Sequence, residues 1–130
     1  MILLDANTCI HIINHRPTKV LSRFRQFDHE AIGISSVSAA ELSFGVASSG
    51  SSKGKQFLDM FLATLKIYPF DEECIWTYGK LRAFLEKRSQ SIGTLDTMIA
   101  AHALVLDMLL ITNHENEFSR VPGLKIDNWT

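Results

Sequence analysis

Met1-Ile2-Leu3-Leu4-Asp5-Ala6-Asn7 runs four apolar residues straight into an aspartate, and a helix-like pattern starts at Thr8-Cys9-Ile10. A short unbroken apolar run is what a strand buried on both faces of a parallel sheet looks like. Asp5 then stands at the carboxyl end of that strand. Open α/β sheets collect their ligands there, in the crevice where strand order reverses. Asp5 fits a second role equally well, as the cap of the following helix. Further carboxylates at equivalent strand or helix ends are what separates the two readings.

The rest of the chain supplies the frame for that comparison. Thr8 to Asn14 reads as a short helix, and Pro17 suits the first turn of a second one carrying Val20, Leu21, Phe24 and Phe27 on one face. Ala31 to Ser36 reads as a buried strand and Ser36 to Leu42 as a helix start. Phe57, Leu58, Phe61, Leu62 and Leu65 form an apolar helical stripe. Lys66 to Phe70 is a short strand, placed near a sheet edge by its proline.

Asp71-Glu72-Glu73 opens a helix and Lys87-Arg88 closes it, the order that suits the helix dipole. Ile75, Tyr78, Leu81 and Leu85 are its expected core face. Thr94 to Met108 is the strongest helical segment, with Thr94 as its expected N-cap. Leu109 to Thr112 and Leu124 to Asp127 are the last two strands, with a polar turn or short helix at Asn113 to Ser119. Strands alternating with helices predict a parallel sheet covered on both faces.

Composition narrows the class. The 130 residues are 46% hydrophobic and 21% charged, which suits one globular domain over residues 1–130. No apolar run approaches a membrane span and the N-terminus lacks a charged leader, so the expected location is the cytoplasm. Cys9 and Cys74 are isolated and read as reduced core residues. The net charge of −1 gives no global pull on nucleic acid. Basic residues nevertheless gather at Arg16, Lys19, Arg23 and Arg25, at Lys53 and Lys55, and along Lys80, Arg82, Lys87 and Arg88.

Placed on this outline, four acids share one edge of the sheet. Asp5 ends the first strand, Glu41 follows the second, Asp96 lies in the first turn of the helix before the fourth, and Glu117 follows the fourth with Asn113 and His114. Carboxylates crowded into one crevice repel each other and need a compensating cation. Hard Mg²⁺ or Mn²⁺ prefers such oxygens, and a site of this kind suits phosphoryl chemistry. Each acid also has a plain structural role open to it. Ser38-Ala39-Ala40-Glu41 is a capping-box pattern, Asp96 suits a helix first turn, and Glu117 sits in a polar loop. His11, His15, His29 and His102 form no zinc-like spacing.

These motifs resemble a known family. Met1 to Asn7, Ser35-Ser36-Val37-Ser38-Ala39-Ala40-Glu41-Leu42 with Gly45-Val46, and Gly93-Thr94-Leu95-Asp96-Thr97-Met98-Ile99-Ala100-Ala101-His102-Ala103 are similar to the PIN-domain ribonucleases. Leu110-Ile111-Thr112-Asn113 with Glu117-Phe118 and Val121-Pro122-Gly123-Leu124 resemble the VapC-type toxins of bacterial toxin–antitoxin pairs. The resemblance spans the whole chain. It implies a three-layer α/β/α sandwich with a mostly parallel central sheet of four to five strands.

It also implies Mg²⁺-dependent (or Mn²⁺-dependent) endoribonuclease activity, with tRNA or another structured RNA cut at a single-stranded loop. The partners it implies are a VapB-like antitoxin that blocks the site, a second copy in a homodimer, and operator DNA through the antitoxin alone. Asp5, Glu41 and Asp96 match the family's acidic, metal-holding triad. The fourth acidic slot, usually Asp or Asn, falls near Asn113 or His114; Glu117, the nearby carboxylate that could reach inward from this loop, is the expected fourth catalytic acid, with Asn113 as a polar contact. Ala6 replaces a threonine often found there, which removes a hydroxyl that could support a ligand carboxylate. Arg16, Arg23 and Lys53 are candidates to hold the RNA backbone.

Two rival readings are weaker. Asp5-Ala6-Asn7-Thr8 resembles the opening motif of haloacid-dehalogenase-type phosphatases, yet that family needs a second aspartate where Asn7 stands. A catalytically weak or inactive module serving only in an antitoxin and DNA repressor complex would have no reason to keep the triad.

Overall fold

The computed structural model describes residues 1–130. Its centre is strand β1 (Ile2–Leu4), with β2 (Ile32–Ser35), β3 (Lys66–Tyr68), β4 (Leu109–Ile111) and β5 (Ile126–Asp127) completing one sheet. The strand order is β3-β2-β1-β4-β5 and every pairing is parallel. The chain builds towards one edge through β2 and β3, then returns past β1 to add β4 and β5. The reversal therefore lies between β1 and β4, which makes their carboxyl ends the crevice of the sheet.

Alternation along the strands sorts the apolar side chains into two cores. Ile2, Leu4, Ile32, Ile34 and Ile111 face one layer, formed by α1 (Ala6–Asn14), α2 (Thr18–Arg25), α3 (Ser36–Ser49) and α4 (Ser52–Leu62). Leu3 and Leu110 face the other, formed by α5 (Glu72–Lys87), α6 (Thr94–Leu106) and the short α7 (Glu115–Phe118). Leu3, Leu4, Ile34, Leu110 and Ile111 are completely buried, as strands covered on both faces must be. The result is the expected three-layer α/β/α sandwich, with five strands.

Register places the functional edge. Leu4, Ile34 and Ile111 lie side by side across the central strands. One residue further on stand Asp5, Ser35 and Thr112, all polar and all buried. Asp5 N–H donates to the Ile111 carbonyl at 3.1 Å, so the β1–β4 pairing continues to the foot of the crevice. Gly33 has its own reason to lack a side chain: a Cβ there would lie 2.3 Å from the Tyr68 ring.

Several expected boundaries move for identifiable reasons. The N-cap of α6 is Gly93 rather than Thr94; Thr97 Oγ1 donates to the Gly93 carbonyl at 2.8 Å and ties the first turn instead. Ser35 caps α3, accepting from Val37 N–H at 3.1 Å, so Ser38 lies inside the helix and its capping box with Glu41 does not form. Pro17 is the N-cap of α2, one residue before its first turn. On α5 the inward position belongs to Cys74, which leaves Ile75 55% exposed. Phe57 likewise turns half out of the α4 stripe, while Leu58 is buried. Both cysteines are buried and unpaired, as expected.

Candidate active site

Four segments converge at the carboxyl ends of β1 and β4. Asp5 leaves β1 and caps α1, accepting from Thr8 N–H at 2.8 Å, and it is only 4% exposed. The capping role read for it in the sequence is therefore made, and the helix it starts holds the carboxylate rigid at the foot of the crevice. Thr8 Oγ1 donates to the Ile111 carbonyl at 3.1 Å and fastens α1 to β4. Beyond β4, Thr112 Oγ1 accepts from His114 N–H at 3.0 Å and turns the chain so that His114 faces α1. Its Nε2 meets Asn7 Nδ2 at 2.9 Å, a bond that bridges the crevice.

On the other face of the same imidazole, Nδ1 lies 3.8 Å from Asp96 Oδ2 in the first turn of α6. Glu117, on α7, completes a group in which one ligand atom each of Asp96, His114 and Glu117 lies within 4.8 Å of the others. Glu117 Oε2 is buried with no hydrogen-bond partner. Glu41 stands on the second turn of α3, close enough for its charge to act on Asp96 and for Asp5 to act on it.

Crowding shows in the proton affinities. Burial, then the neighbouring Glu117 carboxyl, push Asp96 up to about 7, against an opposing pull from His114. Burial and the Asp5 charge push Glu41 up as well, against a smaller opposing pull from His114. Behind them burial and Asp5 push the Cys9 thiol well up, so it stays protonated and takes no part in this chemistry. A buried carboxylate oxygen without a donor, beside a second carboxyl whose proton affinity is raised, fits a site for a divalent cation. The donors are mostly hard oxygens, the set preferred by Mg²⁺ and Mn²⁺.

The PIN domain family matches residues 2–124 of this chain. Among curated relatives, Ribonuclease VapC2 of Rickettsia felis is 38% identical over 129 residues, covering 98% of this chain and 96% of that protein. The chain belongs to the VapC-type PIN-domain family. The tRNA(fMet)-specific endonuclease VapC of Salmonella typhimurium is 31% identical over 128 residues, 98% of this chain and 96% of that one. Among solved structures, VapBC2 from Rickettsia felis bound to a DNA fragment from their promoter matches with a TM-score of 0.89 and 37% identity, covering all of both chains.

Within this VapC-type domain the four acids read from sequence all lie around one crevice, but they are not equivalent. Asp96 and Glu117 form the tight group with His114, while Asp5 and Glu41 flank it. Of the two residues at the fourth slot, His114 turns in and Asn113 is exposed. Sequence reasoning placed His114 beside the site without giving it a contact; its position two residues past β4 was the available signal. It missed Asn7 as a partner altogether. Arg23 already has neighbours in the fold. It pairs with Asp127 at 3.5 Å and lies over the Trp129 ring at 6.0 Å. Arg16 follows the C-cap of α1, the end of that helix opposite Asp5.

Proposed function

We propose that this protein is a divalent-metal-dependent endoribonuclease, the toxin of a toxin–antitoxin pair. The observation that carries the reading is the buried, partnerless Glu117 oxygen beside Asp96, at the switch point of a VapC-type PIN fold. Asp96 and Glu117 hold the cation, Mg²⁺ or Mn²⁺, with Asp5 and Glu41 binding it directly or through water. When bound, the cation supplies neutralisation of the scissile phosphate and an acidified water for in-line attack. Asp5 is kept in place by the helix it caps, so its carboxylate needs no rearrangement to serve. Single-stranded loops, tRNA loops among them, are the substrate class, because their bases and linkages are exposed to a shallow crevice; a relative named for tRNA(fMet) supports this.

The protein partner is a VapB-like antitoxin, as in the solved VapBC complexes, with operator DNA reached through it. An apolar cleft between α1, α3 and α4, lined by Ile10, Ile13, Val46 and Phe57, opens beside Glu41, and a segment lying in it covers the site. A second copy of the chain is the partner for the apolar face around the exposed Phe44. No helix is long and apolar enough to cross a membrane, and the cytoplasm is where its RNA is found.

The test is incubation with total RNA and Mg²⁺, with and without chelator, mapping new 5′ ends. Cleavage should need the metal and should fall at least about a hundredfold in Asp96→Asn, the scale on which even supporting groups act. Equal cleavage by Asp96→Asn would falsify the assignment.

A further inference from the structure

We propose that His114 is a metal ligand in this chain, binding through Nδ1 beside Asp96 and Glu117, and that Asn7 prepares it by accepting a hydrogen bond from Nε2–H. This rests on the metal-dependent reading above and adds to it a nitrogen donor, with a consequent preference among metals.

The geometry is that of ligands around one ion. Donors at about 2.1 Å in an octahedron are about 3 Å apart when adjacent and about 4.2 Å when opposite. The three atoms here lie within 4.8 Å of one another, against at most about 4.2 Å around one ion, so the group closes on a cation by a modest contraction of its side chains. The Nδ1 to Asp96 Oδ2 distance of 3.8 Å is too long for a hydrogen bond and within the span of two ligands of one cation.

The imidazole is also held as a ligand has to be. Neutral histidine carries one ring proton, and the nitrogen that lacks it is the donor to metal. Asn7 lies 2.9 Å from Nε2. With the Asn7 amide nitrogen towards the ring, Nε2 accepts and the proton sits on Nδ1, facing the carboxylates. A half-turn of the amide presents Oδ1 instead, which accepts from Nε2–H and leaves the Nδ1 lone pair towards Asp96 and Glu117. A cation between them selects the second arrangement, the carbonyl-to-ring bond that stands behind most metal-bound histidines. Asn7 can do this because α1 is pinned at its start by the Asp5 cap and at Thr8 by the Ile111 carbonyl. An imidazole in the set favours Mn²⁺ over Mg²⁺ relative to an all-oxygen site, since nitrogen donors suit transition metals.

Mn²⁺ titration by electron paramagnetic resonance reads the site without RNA, and pulsed measurements on the bound ion read a directly bonded nitrogen. The expected result is a nitrogen coupling in the parent that disappears in His114→Ala, with Mn²⁺ affinity falling at least about tenfold and Mg²⁺ affinity falling less. Asn7→Ala should keep the coupling and weaken Mn²⁺ binding in the same direction. The His114 side chain is 41% exposed, so its truncation leaves the core intact, and a thermal melt verifies that. Mn²⁺ bound in an Asp96-dependent way, without nitrogen coupling and with unchanged affinity in His114→Ala, overturns the role of His114 and leaves the acidic site standing. A parent that binds no Mn²⁺, or an Asp96→Asn protein that binds it equally well, overturns the metal reading and this inference together.

Discussion

Asp96 and Glu117 set two carboxyls side by side, and their proton inventory makes the site measurable without substrate. A group whose folded pKa is raised adds stability in full below its unfolded value and loses it as pH rises through the folded one. For Asp96 that window runs from about 4 up to about 7. The metal-free protein should therefore lose melting temperature from pH 5 to pH 8 relative to Asp96→Asn, and saturating Mg²⁺ should remove the difference. His102 works in the opposite sense. Burial lowers its pKa, with Asp71 opposing, so it costs stability as pH falls below about 6.5. Comparison with the Asp96→Asn protein cancels that slope. A melting curve whose pH dependence is the same in both proteins rules out the strained carboxyl pair.

Among the elements, the junction of β2, α3 and α6 depends on one hydroxyl. Ser35 Oγ caps α3 and also lies 2.8 Å from His102 Nδ1, with Phe70 packed edge-on to the imidazole. Ser35→Ala strips a cap and leaves a buried ring nitrogen unpaired, so we expect a loss of about 2 kcal/mol or more in urea unfolding. Ser35→Thr, which keeps the oxygen, should lose less. This junction also shows what the sequence could say. The strand ending at Ser35 and the helix beginning there were legible, because apolar runs and periodicity are local signals. The pairing with His102, 67 residues away, was not, since one histidine within an alanine-rich helix gives no sign of what it faces. The same limit applied to the site. Asp5, Glu41 and Asp96 could be placed at element ends and matched to a family, whereas His114 and Asn7 gained meaning only once β1 and β4 lay side by side. The caps drifted by one to three residues because serine, threonine and glycine neighbours competed for them.

At the scale of the whole molecule, Glu41 lies on a wall between two apolar clefts. One runs along α1, α3 and α4; the other is open, about 670 Å³, and lined by Val37, Phe44, Leu95 and Met98. Phe44 is 73% exposed and Leu95 46%, a cost that a partner would offset. If this second face joins two copies, Phe44→Arg should weaken self-association at least about thirtyfold, near 2 kcal/mol, in sedimentation, while melting as the parent does. A variant that remains as dimeric as the parent would move the contact elsewhere.

The neighbours of β1 carry one more consequence. It pairs with β2 early in the chain but with β4 only after Leu109 to Ile111 are made, and Glu117 comes later still. A nascent polypeptide short of that point can draw Asp5 and Glu41 together through β1 and β2, but lacks the β4 neighbour and the Glu117 that complete the crevice. The crevice is thus a late product of folding, complete only when residues 109–117 have joined the sheet made by the residues before them.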